Sequence, residues 1–397
     1  MAIVADRDGH DFVGAAVATG AAAYLSERGA WPMLEATAIL VDSTRDALAA
    51  LGGAARQRVA GAVIGVTGSV GKTSTKDLIS SALGAARRTY ASEKSFNNEL
   101  GVPLTLVNAP DDVEAVVVEM GARGLGHIAQ LCAIARPTIG VVTAVGDAHV
   151  EQFGSLDAVA QGKGELVESL PDDGVAVLRA ADPRVLAMAR RTRARVITFG
   201  DGGDVVACDV VLHDDLTSTF TAKTPWGSTT VALGARGAHN VDNALAALAV
   251  AGVCGVSLDV AAAGLRSPQW SPWRMDLHRT RRGARVINDA YNANPMSMAA
   301  ALRALAAVPA RRHLAVLGVM AELGEAGEAQ HRAVRELAEA LDIDVLAVAA
   351  PAYGAPGVGT VDEAFALIGE LDGGDAVLLK GSRVAGLDVL AARLLER

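Results

Sequence analysis

The chain has 397 residues, enough for two or three domains at a typical ~150 residues each. It is 51% hydrophobic and 20% charged, which supplies sizeable cores and excludes disorder, collagen and coiled coil as whole-chain descriptions. With 36 Lys and Arg against 45 Asp and Glu the net charge is −9, so a general grip on nucleic acid is excluded, while a local pocket for phosphate stays open. Asp11 to Glu27 (DFVGAAVATGAAAYLSE) reads as a helix. A strand at 38–41 (AILV) follows, and a polar cap at Ser43/Thr44 opens a second helix to about Arg58.

From Gly61 the pattern becomes α/β. AVIGVT (62–67) is a buried strand, and a Gly-rich turn leads from it into a helix beginning near Lys72. EAVVVEM (114–120) and TIGVVTAV (138–145) are further buried strands, with a helix-compatible segment at 126–135 between them. Helical segments at 155–170 and 241–253 surround alternating strands at 205–232, which read as an antiparallel annex to a mostly parallel sheet. SPQWSPWRMD (267–276) carries two Pro and two Trp, breaks the periodicity, and reads as an inter-domain linker. Beyond it, strands at 285–289, 313–318, 345–350 and 376–380 alternate with helices at 296–307, 327–341 and 361–371 and a last helix. The expected class is α/β in three parts: a short N-terminal fragment (1–60), a P-loop central domain (61–270) and a doubly wound, Rossmann-like C-terminal domain (271–397).

Cys132, Cys208 and Cys254 are isolated in apolar surroundings and read as buried small hydrophobes, with neither a disulfide framework nor a zinc site. No run of ~20 apolar residues suggests a membrane span. The N-terminal residues lack the apolar stretch of a signal peptide, so a cytoplasmic protein is expected. The pattern does not fix an oligomeric state.

The informative segment is VIGVTGSVGKTSTKDLI (63–79). A buried strand ends in Gly68, Ser69, Val70, Gly71, Lys72, Thr73 and Ser74, and a helix starts at the lysine. Glycines let the backbone curl so that N–H groups face phosphate oxygens. Lys72 adds a charge, the helix N-terminus adds its dipole, and the Thr73 hydroxyl can bind Mg²⁺. The match is the short form G-x-x-G-K-T, since Val66 stands where the longer motif has its first glycine. Glu119, at the C-terminal edge of the strand VVVEM, is where a metal-nucleotide carboxylate belongs. Taken alone, His149 (DAHVEQFGS) and Lys163 (GKGE) read as a loop histidine and an exposed helix lysine.

These segments resemble the Mur ligase family. The similarity is carried by TGSVGKTSTKD, FNNELGVPLTL (96–106), VVVEMGA (116–122), DAHVEQFGS (147–155), GKGE (162–165), GAHNVDNALAA (237–247), NDAYNANPMSM (288–298), MAELGEAGEAQHR (320–332) and KGSR (380–383), in family order. The resemblance implies an ATP-dependent carboxylate–amine ligase working through an acyl phosphate and releasing ADP. The block YNANPxSM favours the branch that adds D-alanyl-D-alanine to a UDP-N-acetylmuramoyl tripeptide in peptidoglycan synthesis. It implies catalytic roles for Lys72, Glu119, His149 and Lys163. Thr73 and Glu119 are expected on one Mg²⁺ and His149 and Lys163 on a second, with Lys163 carbamylated by CO₂. Asn243, Arg274 and Asp289 would join the loop in binding ATP. Asn97, Asn98, Tyr291, Asn292, Asn294, Lys380 and Arg383 would complete the substrate cleft. The partners implied are small molecules, a carboxylate and an amine or dipeptide.

Family members of this type open with several dozen more residues before the segment GHDFV (9–13), so the first domain is expected to be a shortened substrate-binding one. Ala144 stands where Asn is usual, Val319 where Asp is usual, and Trp273 precedes Arg274 where Gly is usual. The alternative readings are a paralogous ligase for another carboxylate and amine, in specialised metabolism, and a silent nucleotide-binding protein.

Overall fold

In the computed structural model, which describes residues 8–93, 95–146, 153–321 and 323–396, a 3-10 turn (Gly9–Phe12) runs into helix α1 (Val13–Ala18). Strand β1 (Ala23–Ser26) then pairs in parallel with β2 (Thr37–Leu40). The helix expected from Asp11 to Glu27 therefore stops at Ala18, and its second half is strand. Gly20 takes a φ of 104°, and the Thr19 hydroxyl bonds back to the Ala15 and Ala16 carbonyls. Tyr24 and Leu25 are buried in the strand, where the Tyr24 hydroxyl accepts the Trp31 N–H at 2.7 Å. Tertiary burial outweighs helix propensity here. Helix α2 (Thr44–Arg56) begins at the expected cap, with Ser43 Oγ accepting the Asp46 N–H at 3.1 Å.

Six parallel strands form the central sheet: β3 (Ala62–Thr67), β4 (Thr89–Ala91), β5 (Ala115–Glu119), β6 (Ile139–Val142), β7 (Val175–Arg179) and β8 (Arg195–Phe199), in the order β4-β5-β3-β6-β7-β8. The period of two sends Ile64, Val66 and Val117 into one hydrophobic cluster and Val63, Val116 and Val118 into the other. The covering helices are α3 (Lys72–Gly84), α4 (Gly101–Asn108), α5 (His127–Ala135), α6 (Leu156–Glu168), α7 (Pro183–Ala187), α8 (Asn240–Val253) and α9 (Leu258–Leu265). The first cluster takes α3, α8 and α9, and the second takes α4 to α7. Helix α2 packs against α4 and α5: Gly52 abuts Pro103, and Arg56 Nε donates to the Ala135 carbonyl at 2.8 Å. The annex is antiparallel as expected, with β9 (Val206–Leu212), β10 (Ser218–Thr224) and β11 (Gly227–Leu233) in the order β11-β10-β9.

The C-terminal sheet joins β12 (Asp276–Arg279), β13 (Arg285–Asn288), β14 (Arg312–Leu317), β15 (Asp344–Val348), β16 (Gly357–Val358) and β17 (Asp375–Lys380), in the order β12-β13-β17-β14-β15-β16. Only β12 is antiparallel among these. One face packs on α10 (Pro295–Ala306) and α11 (Gly327–Ala340), the other on α12 (Val361–Ile368) and α13 (Leu387–Glu396). Leu216, at the tip of the β9–β10 turn, is buried in this domain's cluster with Met275 and Met298, so the annex reaches across the domain junction.

The α/β class and both sheets follow the expectation. Cys132 is buried and its thiol is pushed up to about 12 by burial, whereas Cys208 and Cys254 are only half-buried; all three are free. Among the described residues no helix is long and apolar enough to cross a membrane.

Candidate active site

The C-terminal ends of the central strands open into a cleft of about 700 Å³ shared with the C-terminal domain. Strand β3 sits at the switch point, with β5 on one side and β6 on the other, where open α/β sheets bind ligands. The turn after β3 runs at φ 152° through Gly68 and 81° through Gly71, conformations that glycine adopts without strain. A Cβ on Gly71 would also lie 2.9 Å from Asn243 Oδ1. Ser69 holds the turn in place: its N–H donates to the Ala144 carbonyl at 2.8 Å, and its Oγ exchanges hydrogen bonds with the Gly146 backbone at 2.9 and 3.0 Å. Ala144, where Asn is usual, contributes its carbonyl to that contact. Lys72 Nζ reaches back to the Gly68 carbonyl at 2.7 Å, over the curl of the loop. Val70, Gly71, Lys72, Thr73 and Ser74 all line the cleft.

Glu119 is 1% exposed at the end of β5. Its Oε2 accepts the Thr73 hydroxyl at 2.7 Å, and its Oε1 accepts Asn97 Nδ2 at 2.8 Å. A hydroxyl and a carboxylate are thus fixed side by side beside the phosphate loop. Lys163, on α6, lines the same cleft and is also 1% exposed. Burial, with the Lys72 charge nearby, holds its ammonium well below the usual lysine range. This overturns the exposed helix lysine of the unaided reading. His149 lies outside the described residues.

The opposite wall comes from the linker and the C-terminal domain. Arg274 Nη2 donates to Thr73 Oγ1 at 2.8 Å and Ser95 Oγ at 3.2 Å, and its guanidinium lies 4.4 Å from the Tyr291 ring centroid. Arg274 Nε is buried with no protein partner among the described residues, which suits an anionic ligand. Asp289 Oδ2 pairs with Lys380 Nζ at 2.6 Å, and Lys380 also donates to the Asn292 carbonyl at 2.9 Å.

Several expected ligand residues have side chains engaged within the protein. Asn243 bonds Thr75 and Asn240, tying α8 to α3. Asn98 Oδ1 accepts the Leu100 and Gly101 N–H groups at the start of α4, Asn292 Oδ1 accepts the Ala293 N–H, and Asn294 caps α10. Arg383 is exposed, outside the cleft lining, and stacked 4.0 Å above the Trp273 ring. Trp273 itself has φ 60°, the left-handed conformation that explains a glycine preference at this position. Val319 contributes its carbonyl to the Ser382 N–H at 2.9 Å.

The sequence reading passed over Ser95, one residue before the FNNELG block, and the Arg179–Asp242 ion pair in the cleft wall. Arg179 ends β7, and a charged residue at the C-terminal end of a buried parallel strand is the signal that could have found it.

Residues 66–251 match the model of the Mur ligase middle domain and 273–383 that of the Mur ligase, glutamate ligase domain. The UDP-N-acetylmuramoyl-tripeptide–D-alanyl-D-alanine ligase of Mycobacterium tuberculosis is 41% identical, over 98% of this chain and 88% of the relative. MurF from Acinetobacter baumannii superposes with a TM-score of 0.89 at 32% identity, covering 100% of this chain and 90% of that one. MurF ligase from Thermotoga maritima, solved in complex with ADP, gives 0.86 at 29% identity, over 99% and 93%. Two family models that together span most of the chain and a relative of 41% identity show that the chain belongs to the Mur ligase family of ATP-dependent ligases.

Proposed function

We propose that this chain joins the terminal carboxylate of a UDP-N-acetylmuramoyl tripeptide to the amine of D-alanyl-D-alanine, with ATP converted to ADP and phosphate. The observation that carries the reading is the convergence of Lys72, Thr73 and Glu119 from the central domain with Arg274 from the linker in one cleft. The 41% identity to a relative of that printed activity supports the choice of substrates.

A carboxylate is a poor acyl donor at neutral pH. Its oxygen attacks the γ-phosphorus of ATP, ADP leaves, and the resulting acyl phosphate carries a good leaving group. The amine then adds to the acyl carbon, and the tetrahedral intermediate expels phosphate and sheds the amine proton. No nucleophilic side chain is required. The work is placement and charge stabilisation: loop N–H groups and Lys72 on the β/γ-phosphates, and Arg274 facing them from across the cleft. The donor set fits Mg²⁺. Thr73 and Glu119 offer hard oxygens side by side. Mg²⁺ held by Thr73, Glu119 and phosphate oxygens would neutralise the charge that develops on transfer. Lys163, buried and driven toward its neutral form, is chemically suited to add CO₂ and become an anionic oxygen donor.

Phosphate release from ATP by the purified protein tests the reading, with the muramoyl tripeptide plus D-alanyl-D-alanine set against a panel of other acid–amine pairs. Release with the muramoyl pair is expected. Release with another pair alone would transfer the assignment to that substrate class.

A further inference from the structure

The phosphate-loop helix and the linker run side by side in opposite directions. Thr73, Asp77 and Ser81 are spaced by four residues and so lie on one face of α3, a turn apart. The linker meets that face three times. The Gln269 N–H donates to Ser81 Oγ at 3.1 Å, the Ser271 N–H to Asp77 Oδ2 at 2.9 Å, and Arg274 Nη2 to Thr73 Oγ1 at 2.8 Å. Each contact brings the linker one turn nearer the phosphate loop.

Both partners are braced. Asp77 is buried and paired with Lys76 at 2.9 Å, and Lys76 Nζ donates to the Ser92 carbonyl at 2.6 Å. Ser81 Oγ donates to the Asp77 carbonyl at 2.8 Å. On the linker, Trp270 Nε1 closes on the Arg274 carbonyl at 2.7 Å, and Asp276 Oδ2 accepts the Trp273 N–H at 2.6 Å. Trp273 and Met275 both hold left-handed φ values, 60° and 55°, on either side of Arg274. A bulky residue does not adopt that conformation unless its surroundings impose it.

We propose that Asp77 and Ser81 are positioning residues of the ligase reaction: they fasten residues 269–271 to α3 so that the linker delivers Arg274 to the Thr73 hydroxyl. Neither touches the cleft, and their effect passes through Arg274. The inference rests on the ligase reading above, because Arg274 is of consequence only where a phosphoryl group is transferred.

The test is a double-mutant cycle with the full chain, measuring kcat and KM for ATP in Asp77→Asn and Ser81→Ala, each alone and combined with Arg274→Ala. Asp77→Asn should lower kcat about 50-fold and Ser81→Ala about 5-fold, with KM for ATP moving less than about threefold because the loop and Lys72 are intact. On the Arg274→Ala background neither should lower kcat by more than about twofold. Full multiplicative losses on that background would overturn the proposal, as would Ser81→Ala leaving kcat unchanged. Thermal melting controls for folding. Should Asp77→Asn fail to fold, Ser81→Ala decides alone.

If wild type turns over no acid–amine pair, the ligase reading falls, and Mg·ADP titration followed by tryptophan fluorescence still examines the linker. Two of the four tryptophans, Trp270 and Trp273, lie on it. The nucleotide-driven change should shrink in both variants at undiminished ADP affinity. An unaltered change would overturn the proposal.

Discussion

The central and C-terminal domains each bring one buried lysine to the cleft, and the two are handled in opposite ways. Lys163 is 1% exposed and Lys380 2%. Lys380, at the end of β17, has the Asp289 carboxylate at 2.6 Å, and Asp289 in turn accepts the Met275 N–H at 3.2 Å. That pair ties two strand ends to the linker. Lys163, on α6, has no carboxylate partner among the described residues and faces the Lys72 charge, so burial drives it toward the neutral amine. Equal burial therefore serves unlike ends. A lysine left without a counter-charge costs stability, and the neutral form that burial favours at Lys163 is the one that the CO₂ addition proposed above requires.

Lys72 belongs with neither, since it reaches over the phosphate loop itself, and Lys72→Ala should give the largest loss, roughly 10³-fold in kcat/KM or more, read by phosphate release. Retained turnover would refute the site. Lys163→Met separates the two buried lysines directly. Activity should fall roughly 10²-fold or more, while urea unfolding shows a protein at least as stable as wild type at neutral pH. The sign of the pH effect follows from the lowered pKa. Between the folded pKa and the ordinary 10.5, the unfolded chain holds a proton that the folded chain lacks, so wild-type stability rises with pH across that window and declines as pH falls. Lys163→Met should lose that slope. Assay in CO₂-depleted buffer should lower wild-type turnover and bicarbonate should restore it; indifference to bicarbonate would remove the carbamate from the scheme. Lys380→Met should do the reverse of Lys163→Met and lower stability by about 2 kcal/mol, because the half-buried Asp289 loses its counter-charge. Equal stability of the two Met variants would break the comparison.

How far the sequence discloses this arrangement differs by region. In the C-terminal domain the alternation of apolar strands and amphipathic helices is regular, and each of the four expected strands lies within two residues of its observed bounds. In the central domain β4 has only three residues, too few for a periodic signal, and β8 begins at the end of the Arg-rich run 190–195, whose charge masks the strand. The first helix is shorter than its Ala-rich run suggests, because that composition favours helix whatever the tertiary demand on Tyr24 and Leu25. For the site, residue type and spacing pick out the loop and Glu119. They do not reveal burial, so Lys163 looks exposed by pattern and is enclosed in the fold. Nor do they separate an asparagine that meets a ligand from one that shapes a loop.

Asn97 and Asn294 test that last distinction. Both line the cleft. Asn97 steadies Glu119, so Asn97→Ala should reduce turnover with little change in melting. Asn294 Oδ1 accepts the Ser297 N–H at 2.9 Å, and Ser297 Oγ accepts the Asn294 N–H at 3.0 Å, a reciprocal cap on α10 with Pro295 in the first turn. Its oxygen is directed along the helix start. Asn294→Ala should therefore cost about 1 kcal/mol in urea unfolding, the ordinary value of a lost N-cap, and leave KM for D-alanyl-D-alanine close to wild type. A raised KM with unchanged stability would return Asn294 to the substrate and show that a reciprocal cap can coexist with ligand contact on the C-terminal wall of the cleft.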